Sequence, residues 1–336
     1  MARVWRWFSW PWLWVLASWA LAVAGRLVKH GVAFGLDYQL YQPDGGRYIG
    51  LAHGLLHRDL ADLDRITLSR PLYSILSLPF YAVFGDGGML VVPALSLLGV
   101  GVCIVLIARQ AGAIWVGVVV FGALTASVTV TRWMVADITD APHAALFALA
   151  CLLLYRGFRF WPLLVLLMLG LLARPAGPAW IALFIPFLLR ARGGERRQWW
   201  GLAAMAAAVT VLTLIFVPDV SGFDPTGRVT WAARLLRLPE RMITIPAVEF
   251  GELAVLDRLL LAIVVAAVVL AWRRRTRIWS QAYLWVLGVT LFMGAWNGVY
   301  GVNFRYQLPA LVPAAIVLIE SWTQELMPAL VKRSVR

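Results

Sequence analysis

Apolar residues in this chain gather into ten runs, near 8–28, 88–108, 113–131, 141–156, 160–173, 176–190, 199–217, 253–272, 279–296 and 308–322. Crossing the hydrocarbon core of a bilayer takes about 20 apolar residues, and a helix is the one simple element that satisfies its own backbone there. The runs therefore predict an all-α polytopic membrane protein of about ten transmembrane helices, built as a single integral membrane domain over residues 1–336. Composition points the same way: 62% of residues are hydrophobic and 14% charged, against roughly 45–50% apolar and 25% charged in soluble domains. The fifth and sixth runs are short and separated only by "ARPAG", which leaves open a single bent hairpin. The stretch "RPLYSILSLPFYAVFG" (70–85) is apolar but interrupted by proline and reads as a juxtamembrane helix.

Charge orients the bundle. With the N-terminus inside, cytoplasmic segments hold 16 of the 30 basic residues and three acids, Glu195, Glu320 and Glu325. The whole net charge of +13 then falls on one side, as the positive-inside rule requires. Both termini are expected in the cytoplasm, in a bacterial-type inner membrane. Because the basic runs are short helix flanks, their charge gives no reason to expect nucleic acid binding. Trp161, Trp199, Trp200, Trp272, Trp279 and Trp322 at inner helix ends, and Trp133 and Trp296 at outer ones, are expected to anchor at the interface. The N-terminal "WRWFSWPWLW" lacks a clean cleavage site and reads as a retained first span. Cys103 and Cys151 lie within spans and are expected to be packing residues.

Two loops on the outer side are long, 29–87 and 218–252, whereas inner loops such as "RQAG" and "RGFRF" have no room for a catalytic domain. Chemistry is therefore expected on the outer face. No internal repeat, P-loop or dinucleotide fingerprint is visible, so no nucleotide is expected. Asp59, Asp62 and Asp64 in "HRDLADLDR" read as a solvated helix end.

Three polar clusters remain. Asp44 in "QPDGGRYIGLAHGLL" stands in a Pro-Gly turn before a helix carrying Arg47, Tyr48, Leu51 and Leu55; it either caps that helix or serves a site. Asp137, Asp140 and His143 gather in "TRWMVADITDAPHAALFALA", where Asp140 precedes Pro142 and suits an N-cap, and His143 is within reach of either acid. Arg174 in "ARPAG" and Arg305 with Tyr306 in "NFRYQLP" put cations at outer helix ends. Such arginines either snorkel to headgroups or grip a phosphate with their guanidinium forks. His53 and His57 are spaced i, i+4 and can face one way, but no third ligand is evident. No metal site and no cofactor are expected, although a divalent metal is conceivable. The segment "VTWAARLLRLPERM" (229–242) reads as an interfacial helix.

In order and side, these clusters resemble the type-C membrane glycosyltransferases, such as protein O-mannosyltransferases and the lipid A aminoarabinose transferase. Family members often read Pro-Asp-Glu-x-Arg-Tyr-x-x-x-Ala after the first span. Pro43, Asp44, Arg47, Tyr48 and Ala52 fall at matching places, with Gly45 replacing the second acid. "RPLYSILSLPFYAVFG", "DAPHAALFALA", "ARPAG" and "FRYQLPALVP" resemble later family segments in the same order, covering most of residues 1–190 and 295–320. The resemblance implies transfer of a sugar from a polyprenyl-phosphate donor to a hydroxyl of a lipid-linked or cell-envelope glycan acceptor on the outer face. It implies Asp44 as general base, with Asp37 in reserve, and Arg305, Tyr306 and Arg174 at the donor phosphate. Arg47, Tyr48, Asp137, Asp140 and His143 are then expected to line the cleft. Direct displacement with one base implies inversion. Two rivals are a glycan polymerase or ligase using a polyprenyl-pyrophosphate oligosaccharide, and a transporter, which would be expected to place its polar groups on broken helices near mid-membrane.

Overall fold

A computed structural model describes residues 2–29, 45–59, 65–136, 138–157, 159–216, 255–297 and 304–328. Every regular element among them is a helix. α1 (Ala2–Lys29) is followed by α2 (Gly45–His57), α3 (Arg65–Leu68) and α4 (Pro71–Phe84), and a 3-10 turn Gly85–Leu90 leads into α5 (Val91–Gln110). Next come α6 (Ile114–Ala126), α7 (Val128–Met134), α8 (Asp140–Arg156), α9 (Phe160–Ala173), α10 (Gly177–Arg190) and α11 (Gly193–Phe216). α12 (Val255–Arg273), α13 (Ile278–Asn297), a 3-10 turn Phe304–Gln307, α14 (Leu308–Ser321) and a π-helical turn Trp322–Leu326 complete the series.

Helices form in the described parts of all ten apolar runs, with 113–131 interrupted at Ser127, but ten membrane crossings are not established. By length and hydropathy, two described stretches suffice to cross a bilayer, Trp10–Val28 and Pro71–Gln110, and the pair Ile114–Ala126 with Val128–Met134 makes a bent third. The reason is length. α9, α10 and α14 have 14 residues each, which is roughly 21 Å at 1.5 Å per residue, short of a hydrocarbon core of about 30 Å.

The run 113–131, expected as one straight span, is broken. α6 and α7 meet at 81° because Ser127 leaves the helical conformation and caps α7, its Oγ accepting from the Val130 N–H at 3.1 Å. That hydroxyl in turn donates to the buried carboxylate of Asp257 at the start of α12, which also accepts from the Thr129 N–H at 3.1 Å. A carboxylate from another helix thus satisfies an N–H that the break sets loose.

Small residues let the helices approach, as they do where packing rather than water drives association. A Cβ on Gly101 of α5 would overlap the Phe121 ring of α6, and one on Gly117 would overlap the Ala108 side chain. α5 packs between α6 and α8, and α10 between α11 and α13. α14 touches α5, α8, α12 and α13, and every residue from Leu308 to Val317 is buried. A helix apolar on all sides belongs at the centre of a bundle.

The indoles divide. Trp161, Trp200 and Trp272 are exposed, as interfacial anchors should be, but Trp199 and Trp279 are buried and are not anchors. Trp199 satisfies its N–H on Glu195, one turn earlier, at 3.2 Å and stacks on Phe187, and Trp279 meets Phe187 and Tyr155 edge-on or tilted. These aromatics lock one end of the bundle, where α8 and α10 finish and α11 and α13 begin. Cys103 and Cys151 are buried and unbridged.

Candidate functional site

The opposite end of the bundle gathers four of the expected residues. Arg174 precedes Pro175, which disfavours helix for the residue before it, so α9 stops at Ala173 and Arg174 is extended at φ −154° and ψ 128°. That conformation turns its side chain inward. Arg174 is 7% exposed and Asp140 3%, and the two form an ion pair. The guanidinium carbon also lies 4.4 Å from the centroid of the Tyr306 ring, within cation–π range. Arg174 is therefore not a snorkelling residue.

Asp140 opens α8, but the capping position is Thr139, which makes no side-chain cap bond. The Asp140 carboxylate instead sits in the first turn, where the helix dipole favours an anion, and faces Arg174. His143, expected to pair with Asp137 or Asp140, instead meets Trp180 of α10: its Nε2 accepts from the indole N–H at 3.2 Å, and the rings meet edge-on. An indole N–H can only donate, so Nε2 is the bare nitrogen and the imidazole proton lies on Nδ1. Trp180 is itself seated over Gly170, where a Cβ would overlap the indole.

A small cavity opens here, lined by His143, Arg174, Ala179, Thr290, Met293 and Tyr306 among others. Its space is about that of one water. The described residues thus form a charged, tightly packed floor and do not by themselves enclose room for a sugar.

The remaining expected residues are placed differently. Tyr48 does not line this cavity: it is 2% exposed and packs edge-on against Tyr73, 5.5 Å between centroids, in a separate small core with Ala52, Met89 and Val92. Its carbonyl accepts from Ser74 Oγ at 3.0 Å, and Tyr73 donates to the Met89 carbonyl at 2.8 Å. Arg47 is exposed on the same helix. This α2–α4 unit nevertheless packs through α4 onto α9, the helix that ends at Arg174. Arg305 belongs to the turn Phe304–Gln307 that carries Tyr306. Asp37, Asp44, Asp137, Asp62, Asp64 and the segment 229–242 lie outside the described residues, while Asp59 is exposed. His53 and His57 do face one way, with ring centroids 4.3 Å apart on an exposed surface. Among the described residues no group of three His, Cys, Asp or Glu is placed to hold a metal.

Three features escaped the sequence. Trp180 is the partner of His143, and an indole three residues after "RPAG" gave no hint of it. Asp257 is a buried carboxylate whose partners lie about 130 residues away. Arg26, near the end of α1, is a further buried guanidinium. Comparison with protein-family models, curated proteins and solved structures finds no match for this chain.

Proposed function

We propose that this chain is a membrane glycosyltransferase that moves a sugar from a polyprenyl-phosphate donor to a hydroxyl of a lipid-linked or envelope glycan acceptor. The observation that carries the reading is the buried cluster of Asp140, Arg174 and Tyr306 at one end of an apolar bundle. Charge is expensive in such surroundings and generally marks function. The cluster lies at helix ends, where a phosphate at headgroup depth would meet it; a transporter would be expected to keep its polar groups at mid-membrane.

In this reading the ten apolar helices are embedded in a cytoplasmic membrane, with the cluster facing outward. The acceptor oxygen attacks the anomeric carbon, the carbon–oxygen bond to phosphate breaks, and polyprenyl phosphate departs with the electron pair. Asp44, or Asp37 in its place, takes the hydroxyl proton. Arg305 supplies positive charge to the leaving phosphate. Arg174, already neutralised by Asp140, contributes N–H donors and holds Tyr306 in place. One displacement inverts the anomeric centre.

Two variants in lipid nanodiscs test this assignment. Asp44→Asn is expected to abolish transfer while retaining donor binding, and Arg305→Ala to weaken donor binding itself. Normal turnover by Asp44→Asn would move the base to Asp37, and normal turnover by Asp37→Asn as well would overturn the mechanism.

A further inference from the structure

The end of the bundle remote from the cluster carries a second charged feature that the proposed reaction does not use. Arg190 at the end of α10 donates from Nη2 to the Thr276 carbonyl, and to Gln281 Oε1 at 3.3 Å. This bond staples the turn between α10 and α11 to the turn between α12 and α13. Each turn carries or adjoins a run of arginines: Arg192 in the first, with Arg196 and Arg197 in the opening turn of α11, and Arg275 and Arg277 in the second, all exposed. Arg274, by contrast, is buried and consumed by Ser321 Oγ at 2.9 Å and Glu325 at 3.2 Å, so it belongs to the fold. The acid beside the first run, Glu195, accepts from Trp199.

Apolar surface continues from both turns. Val265, Val269 and Trp272 are 44–63% exposed on α12, and their i, i+4, i+7 spacing puts them on one face leading down to the second arginine run. Leu189 beside Arg190 and Trp200 after Arg197 are exposed on the other side. Cationic turns at the end of an apolar, indole-edged surface match a phospholipid in both of its parts: phosphates for the guanidiniums, acyl chains for the stripe. Basic recesses between membrane helices hold anionic headgroups in this way.

We propose that the two stapled turns form a binding site for an anionic glycerophospholipid carrying two phosphates, one phosphate at each arginine run. The stapling is what favours two phosphates over one, because it holds two separate clusters of planar donors side by side.

The test uses the full-length protein in detergent, with retained lipid counted by native mass spectrometry and confirmed by thermal unfolding. Diphosphatidylglycerol, phosphatidylglycerol, phosphatidylcholine and inorganic phosphate are offered separately. Arg196→Gln/Arg275→Gln, one residue from each arginine run, is compared with Arg109→Gln/Arg159→Gln, which removes equal charge from the end of α5 and the start of α9. A surface arginine contributes about fivefold in affinity for anionic lipid. The first variant is therefore expected to lose at least tenfold for diphosphatidylglycerol, and the control little. Unfolding without lipid checks that both variants fold. Equal loss in both variants would reduce the site to general charge, equal retention of phosphatidylcholine would remove the headgroup, and an equal effect of inorganic phosphate would remove the lipid. Any of these overturns the proposal.

Discussion

Removing Arg174 alone, as Arg174→Met, leaves the Asp140 carboxylate buried at 3% exposure without its cation. Stranding one partner of a buried pair costs about 3–5 kcal/mol, whereas replacing both by apolar groups of similar volume is often neutral or stabilising. Asp140→Leu, which strands the guanidinium instead, is expected to cost a similar amount. The double variant Asp140→Leu/Arg174→Met should return to within about 2 kcal/mol of the parent. Stability is read by denaturant titration in mixed micelles, with donor-dependent transfer measured on the same preparations. The double variant is expected to be stable and inactive, because its apolar floor offers the donor phosphate no N–H. Losses that simply add in the double variant would show that Asp140 and Arg174 do not act as a unit. A stable double variant with full transfer would remove the pair from the site.

Other positions give sharper local tests. Gly170→Ala forces a methyl into the Trp180 indole and is expected to cost about 1–3 kcal/mol as overpacking, seen as a lower unfolding midpoint. Trp180→Phe keeps most of the packing but removes the donor to His143 Nε2, so the His143 ring should gain a second tautomer, visible in the nitrogen shifts of labelled histidine. Asp257→Ala leaves the Ser127 hydroxyl and Thr129 N–H without their acceptor; the expected cost is about 1–3 kcal/mol, with faster hydrogen exchange confined to residues 127–134.

Helices could be read from the sequence wherever a run of apolar residues was long and uniform, as in α5 and α12. The elbow at Ser127 could not. "TASVTV" is apolar enough to continue a span, and the break depends on a carboxylate of α12 that no local pattern announces. Tryptophans mislead for a related reason. An indole at a helix end reads as an anchor, yet Trp199 is buried because Glu195 one turn earlier accepts its N–H.

The candidate site was legible in part. Arg174-Pro175 predicted a break, and the proline does produce the extended residue that turns inward. The cationic and acidic clusters were also expected on one face, and Asp140, Arg174 and Tyr306 do converge. Their pairing was not legible, since it depends on how the start of α8 and the end of α9 meet the turn that precedes α14. The burial of Tyr48 was not legible, because Tyr73 and Ser74, which pack on it, come from a helix whose angle no motif encodes.

Donor consumption decides whether this protein transfers a lipid-linked sugar. Purified protein in nanodiscs is offered a panel of polyprenyl-phosphate monosaccharides with envelope extract as acceptor, and each donor is followed by mass spectrometry in wild type and Asp44→Asn. One donor is expected to disappear with wild type only, its polyprenyl phosphate appearing in equal amount. Persistence of every donor, under conditions where the protein is folded, would rule out the transferase reaction.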